Sequence, residues 1–371
     1  PAPPAPYTLG RSSAASDVYK RQGQSERLHQ LVSLTGSAHR SVRSVGAGDI
    51  GAVAKLDDIV TGDTLAPPGL RVTVPVPALP TAVHGVAVSA KTPAHEDRLA
   101  MALRRIVSED PTLAVSHDGT THQTVLWGAG ETHLSVALAR IERLGIEVES
   151  EPPRVAYLEA LARPVEVEGK FKKQTGGHGQ FGIATVRFEP LARGAGFQFD
   201  NEVTGGAIPK GLIPAVGAGV EEAMDRGGVH GFPVVDLRAV CTDGRHHSVD
   251  SSEMSFKMAG SLALRGALEQ VGTTVLEPIS ELQVRVPVQY QGDVLGDLSS
   301  RRGQVMGTDH DDTGTEVTIL AHVPTSEIQR YAIDLRSMTA GTGSFELSHH
   351  DYQPVPEIEL DRVVADAKAS G

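Results

Sequence analysis

Lys170, Lys172 and Lys173 run into a glycine-rich stretch, Gly176 to Gly182, with no acid among them. Clustered cations beside backbone that a partner can approach closely suit contact with phosphate, the sequence-independent part of nucleic-acid binding. A solvated turn is the plainer reading. The piece GHGQFG (Gly177–Gly182) also fits the dinucleotide pattern G-x-G-x-x-G. That pattern works only between a strand and a helix whose N-terminus faces the pyrophosphate. Here IATVRFEP follows and reads as a strand.

Arg245-His246-His247 lies on a loop ahead of a helix that starts near Asp250. Adjacent histidines lack the spacing and third ligand of a metal site, so an exposed contact loop or plain surface is expected. His349-His350-Asp351 reads as surface. Arg301 and Arg302 end a helix, where cations complement the dipole or contact phosphate. In GAGETH (Gly128–His133) the glycines make a turn, Glu131 complements a helix start and His133 is structural. Cys241, the single cysteine, excludes an internal disulfide and suits a reducing compartment. It reads as a buried strand residue; a nucleophilic role needs a poised histidine, and His246 and His247 are near in sequence. No G-x-x-x-x-G-K-[ST], Ser-His-Asp or paired-carboxylate pattern is present. No catalytic, cofactor-binding or metal residue is expected.

The elements that must position these residues follow from periodicity. With 371 residues the chain is long enough for two or three domains. Residues 1–22 (PAPPAPYTLGRSSAASDVYKRQ) show no periodicity and no apolar h-region, and are expected to be a non-native or disordered leader. Residues 23–69 alternate in short strand-like pieces, too few for a complete barrel. Residues 80–150 give β-α-β-β-α-β, and 276–350 repeat that order, which predicts two ferredoxin-like split β-α-β modules. Between them lie a basic hairpin (Glu166–Phe188), a helix through Ile213–Met224, a strand Val234–Thr242 and a long helix. That helix is given a capping box of Asp250 and Glu253, and a buried face of Met254, Met258, Leu262, Leu264, Leu268 and Val271. A frayed helix is expected from Pro354. The fold class is α+β and multidomain, divided at 1–22, 23–69, 70–149, 150–275, 276–353 and 354–371. The formal net charge is −12 and aromatics are only 4%. RNA contact must therefore be local, and a stacking channel for single strands is excluded. No apolar run is long enough to cross a bilayer.

From about residue 23 to 361 the chain resembles the C-terminal half of bacterial elongation factor G, a translational GTPase. The likeness rests on AGDIGAVAKLDDIVTGDTL, EDPTLAV, GAGETHLSVALARI, KKQTGGHGQFG, GGAIPKGLIPAVGAGVEEAM, HSVDSSEMSFKMAGSLAL, VLEPISELQV, GDVLGDLSSRRG and VPTSEIQRYAIDLRSMTAG, in the family's order. The resemblance implies the end of a second-domain β-barrel, ferredoxin-like third and fifth domains, and a fourth domain around a left-handed β-α-β crossover. It implies that the intact parent binds GTP and Mg on a domain upstream, while this chain neither binds nor hydrolyses GTP. The partners it implies are the ribosome (rRNA of both subunits, decoding site and stalk base) and tRNA-mRNA, for a monomer of the cytoplasm with no membrane role. Carried across, the decoding-site loops are Lys172, Lys173, Gln174, Gly176, Gly177, His178, Gly179 and Gln180, with Arg245, His246, His247 and Ser248. Arg301 and Arg302 take an rRNA role at the stalk base. His178, Gly211-Leu212, Ser248 and Thr342 depart from the usual pattern, as in a paralogue. The alternatives are a ribosome-protection or recycling factor of the same family and, outside it, a nucleotide-binding enzyme using the Gly-rich loop.

Overall fold

A computed structural model describes residues 7–8, 17–19, 25–27, 30–54, 56, 59–66, 74–174 and 179–370. Of the leader it describes two short strands, β1 (Tyr7–Thr8) and β2 (Asp17–Tyr19); β3 (Ser25–Arg27) pairs with β2. β4 (Leu31–Thr35), β5 (Ala38–Ser41), β6 (Ser44–Val45) and β7 (Ala52–Val53) follow. β5-β4-β7 form one small antiparallel sheet and β1 pairs with β6. Among the described residues no barrel closes.

The next unit runs β8 (His84–Ala90), α1 (Glu96–Glu109), β9 (Ala114–His117), β10 (Thr124–Gly128), α2 (Glu131–Glu142) and β11 (Val148–Glu151). Its antiparallel order β11-β8-β10-β9 is that of a split β-α-β module. Leu99, Leu103 and Ile106 of α1 meet Leu134 and Ile141 of α2 over Leu126, all buried. Thr92 is extended ahead of a 3-10 turn, Pro93–His95, but its hydroxyl makes no cap bond. Gly145 ends the second helical stretch at φ +75°, the left-handed conformation that favours glycine.

The middle unit contains β12 (Leu158–Leu161), β13 (Val165–Gln174), β14 (Gly179–Pro190), β15 (Phe197–Asn201), α3 (Ile213–Asp225), β16 (Val234–Val235), β17 (Leu237–Arg245) and α4 (Glu253–Val271). β13-β14-β17-β15 form its sheet, and α3 lies between the parallel pair β15 and β17. The strand expected over Val234–Thr242 is broken at Asp236. That residue is buried at φ +55°, and its carboxylate accepts the Gly196 N–H at 3.1 Å. The break sends β16 to β12 and β17 to β14.

The expected cap of α4 is also corrected. Ser252 is the N-cap and its hydroxyl accepts the Ser255 N–H, while the Asp250 carbonyl is taken by the Phe181 N–H. Met254 is exposed; the buried stripe is Phe256, Ala259, Gly260, Ala263, Leu264, Ala267 and Leu268. Small residues face inward because α4 lies between the hairpin and α3, and both come close to its backbone. A Cβ at Gly169 would sit 1.9 Å from the Ala259 carbonyl oxygen, and one at Gly219 would sit 1.9 Å from that of Lys257.

The last unit is β18 (Thr273–Pro287), α5 (Gln291–Ser300), β19 (Gln304–His310), β20 (Glu316–Pro324), α6 (Tyr331–Met338), β21 (Ser344–Pro354) and α7 (Glu357–Ser370). Its order β21-β18-β20-β19 repeats the arrangement of the β8–β11 sheet, so the two modules expected from sequence are present. β18 is a single 15-residue strand: Thr273–Leu276 pairs with β12 and the remainder with β20 and β21. The middle and last units therefore share a strand. Pro324 leads into a 3-10 turn and α6 starts only at Tyr331. The tail helix is docked, with Val363 buried in a cluster with Tyr157, Val275 and Val355.

Candidate nucleic-acid interface

Alternation along β13 turns Val165, Val167 and Phe171 to the core, and Glu166, Glu168, Lys170 and Lys172 to solvent. Pairing places Lys170, Ile183 and Arg245 in one row across β13, β14 and β17, and Lys172 opposite Phe181 in the row nearer the tip. The Lys172 ammonium lies 4.9 Å from the centre of the Phe181 ring, a cation–π contact of about 0.5–1 kcal/mol at an exposed site. Lys173, opposite Gln180, is exposed. Among the described residues none of Lys170, Lys172, Lys173 and Arg245 has an acidic partner. A chain of net charge −12 thus gathers four uncompensated cations on one hairpin end.

The loop after β17 is tied to that end. The His247 N–H donates to Ser251 Oγ at 2.8 Å, and the Ser251 hydroxyl donates to the Phe181 carbonyl at 2.9 Å. The Phe181 N–H completes the tie to the Asp250 carbonyl at 2.9 Å. His247 is half exposed, with Nδ1 3.2 Å from the Asp250 carboxylate and its ring 6.2 Å from that of Phe181. His246 Nδ1 lies 3.0 Å from the Ala207 carbonyl, which fixes that ring on a neighbouring loop. Ser248 and Gln180 are exposed. Gly179 packs against Asp250, whose carboxylate a Cβ there would meet at 2.9 Å, and Gly182 packs on the Ser255 carbonyl. Gly179 and Gly182 therefore serve close backbone approach within the domain. Gly176, Gly177 and His178, and the side chain of Gln174, lie outside the described residues.

Two residues join this surface that sequence reasoning passed over. Phe181 sits inside the glycine run and stands between Lys172 and His247. Val249 is 68% exposed beside His247. An aromatic inside the glycine run that follows the lysines was the available signal for the first; nothing local marks the second.

Arg301 and Arg302 are both engaged by carboxylates. The Arg301 guanidinium donates to Asp297 at 2.8 Å, to Asp334 at 2.9 Å and to the Glu327 carbonyl at 2.7 Å, and it lies over the Tyr331 ring. Arg302 holds the buried Glu277 carboxylate through two bonds of 2.7 and 2.9 Å. Both guanidiniums bind the last unit together and present no spare charge to phosphate. Their bonded carboxylates hold both above the ordinary arginine range. Arg302→Ala is expected to destabilise the chain by about 2 kcal/mol, because Glu277 is left buried without its cation. A lower thermal midpoint, partly restored by adding Glu277→Gln, is the check; an unchanged midpoint removes the argument.

Cys241 is fully buried on β17, and burial pushes its thiol up to about 11, so it is no nucleophile at neutral pH. His133 is structural, as expected: Nδ1 accepts the Ala129 N–H at 3.1 Å and Nε2 lies 3.0 Å from Asp110. The strand β14 begins at Gly179, inside GHGQFG, so a strand follows where the dinucleotide pattern needs a helix. The nucleotide-cradle alternative has no geometry to support it.

Comparison with known families matches three descriptions in succession. Residues 79–152 match "Elongation Factor G, domain III", 153–272 match "Elongation factor G, domain IV" and 274–363 match "Elongation factor G C-terminus". Among solved structures, a protein from Thermus thermophilus superposes with a TM-score of 0.79 at 35% identity. The match covers 98% of this chain and 54% of the other, so the chain spans about half the length of that relative.

Proposed function

This chain belongs to the elongation factor G family, and from that premise we propose that its domain IV tip contacts ribosomal RNA and the tRNA-mRNA duplex during GTP-dependent translocation. The observation that carries the reading is the cluster of Lys170, Lys172, Lys173 and Arg245, uncompensated among the described residues, on an otherwise acidic chain. Cations of this kind position a protein on phosphate and do not read bases. His247, tied by its backbone to Ser251 and thence to β14, supplies a half-exposed donor at the same end. Phe181 and Val249 add a small apolar surface on which a base or ribose can rest.

The chain has no P-loop sequence, and the GHGQFG fingerprint opens a strand. In this reading the nucleotide is held by another domain, and domain IV acts by occupying the site into which RNA would slip back. A cytoplasmic location follows from a ribosomal role; among the described residues no helix is long and apolar enough to cross a membrane.

Cosedimentation of the full chain with ribosomes tests the proposal. Binding is expected to weaken steeply between 50 and 200 mM salt, in the manner of phosphate contacts (about tenfold or more). Lys172→Glu with Arg245→Glu is expected to flatten that dependence. Binding that ignores both salt and the two substitutions would sink the reading. A protection or recycling factor is the second reading within the family, favoured by the uncharged, exposed Ser248 at the tip. Subunit splitting without tRNA movement by a factor carrying this chain would decide for it.

A further inference from the structure

Glu281, His322 and His350 are the one group of three histidine, cysteine or acidic residues, among those described, whose donor atoms all lie within 4.8 Å of one another. They stand on three neighbouring strands of the last domain, β18, β20 and β21. Pairing opposes Glu281 directly to His322, which places both on one face of the sheet. His350 lies two residues beyond Ser348, the partner of Glu281, and so on the same face, beside an irregularity. The β18–β21 register shifts between Ile279 and Ser280, opposite Asp351 and His349, so His350 is the extra residue of a bulge. Its ring stacks on His322 with centroids 3.8 Å apart and planes 27° apart. His322 Nε2 is 3.7 Å from Glu281 Oε2. Alternation from Ser348, the partner of Glu281, turns His350 to this face, and the bulge makes it the extra residue there.

We propose that Glu281, His322 and His350 form a divalent transition-metal site of the zinc class, with its fourth position open to water. Two imidazoles and one carboxylate are an established donor set for tetrahedral zinc. Around an ion with bonds of about 2.0–2.2 Å the donors must draw closer together than they stand here. Glu281 and His350 are exposed enough to make that movement, while His322, 14% exposed, serves as the fixed member. Bound metal would pin the bulge of β21 to β20 across β18, the strand that the middle and last domains share.

Titration of the full chain with zinc chloride, followed by calorimetry, is the test. One saturable equivalent is expected, and cobalt in its place should show the visible absorption of a tetrahedral site. His322→Ala and His350→Ala should each weaken binding at least about tenfold. His349→Ala, one residue away with its ring against Tyr352, should leave it unchanged. His350 is exposed, so its alanine variant keeps the metal-free melting midpoint of the parent. The absence of saturable binding, or equal affinity in His322→Ala and His350→Ala to that of the parent, overturns the site. So does loss of binding in a His246→Ala/His247→Ala variant, which would place the ion at the domain IV tip.

Discussion

A factor carrying this chain with Lys172→Glu, Lys173→Glu and Arg245→Glu is expected to move tRNA and mRNA at least about tenfold more slowly than its parent in single-turnover measurements. Each reversal replaces attraction to a phosphate by repulsion. At about 4 Å in water that is a change of roughly 2 kcal/mol per charge, lessened by a Debye length of about 8 Å at physiological salt. A quarter of the combined effect of the three already gives a factor of about ten in rate. The fold should survive. All three side chains are exposed and without acidic partners among the described residues, and only Lys172 gives up a contact, that with Phe181. Exposed changes of this kind usually alter stability by about 0.5 kcal/mol or less. Raising the salt should slow the parent towards the variant. Equal rates for parent and variant, with both folded, would remove the tip from the function.

Alanine at Gly219 is expected to cost domain IV about 3 kcal/mol or more, although alanine is the better helix former. The intrinsic preference favours alanine by about 0.8–1 kcal/mol within a helix. Against that stands the helix pair. A Cβ at Gly219 of α3 would lie 1.9 Å from the Lys257 carbonyl oxygen of α4, and one at Gly260 of α4 would lie 2.2 Å from that of Val216. The obstructing atoms are backbone, so no side chain can turn aside and the helices must part. Forced overpacking of a core commonly costs about 1–3 kcal/mol and sometimes more; loss of the interlocked approach puts this case at the upper end. Gly296 on α5 is the control: it is exposed, and a Cβ there meets nothing within 4 Å. Gly296→Ala should stabilise by roughly 0.5–1 kcal/mol. Chemical denaturation of the two variants gives both signs at once. A stabilised Gly219→Ala would refute the packing account.

Local pattern was enough for much of the fold. The order β-α-β-β-α-β over 80–150 and its repeat over 276–350 were legible because apolar residues recur every second or every third to fourth position, and those periods record burial directly. The hairpin of Val165–Gln174 with Gly179–Pro190 was legible for the same reason. Failures came where the neighbour lay far along the chain. Met254 looked like core because it is large and helical, yet the face of α4 that is buried carries alanines and glycine, since α3 and β13 approach its backbone. Asp236 looked like an ordinary strand residue, although its buried carboxylate serves Gly196, forty residues earlier.

The candidate site divides the same way. Lysines with no acid among them announced a phosphate-contacting tip, and Arg245, in the row of Lys170 on β17, joined them only through strand pairing. Arg301 and Arg302 looked equally free. Asp297, four residues before Arg301, was a visible partner, but Asp334, Glu327 and Glu277 lie 25 or more residues away, and only the tertiary fold shows those pairings. The His322–His350 stack, silent in sequence, exists because strand pairing sets β20 and β21 on either side of β18. By itself the sequence determined the α+β modules and the basic hairpin end, since both are written at spacings of a few residues. Only the tertiary structure decided which charges stay free, which glycines cannot change and which histidines meet. Each of those depends on backbones brought together from distant parts of the chain, and a period of two or 3.6 residues carries no record of that.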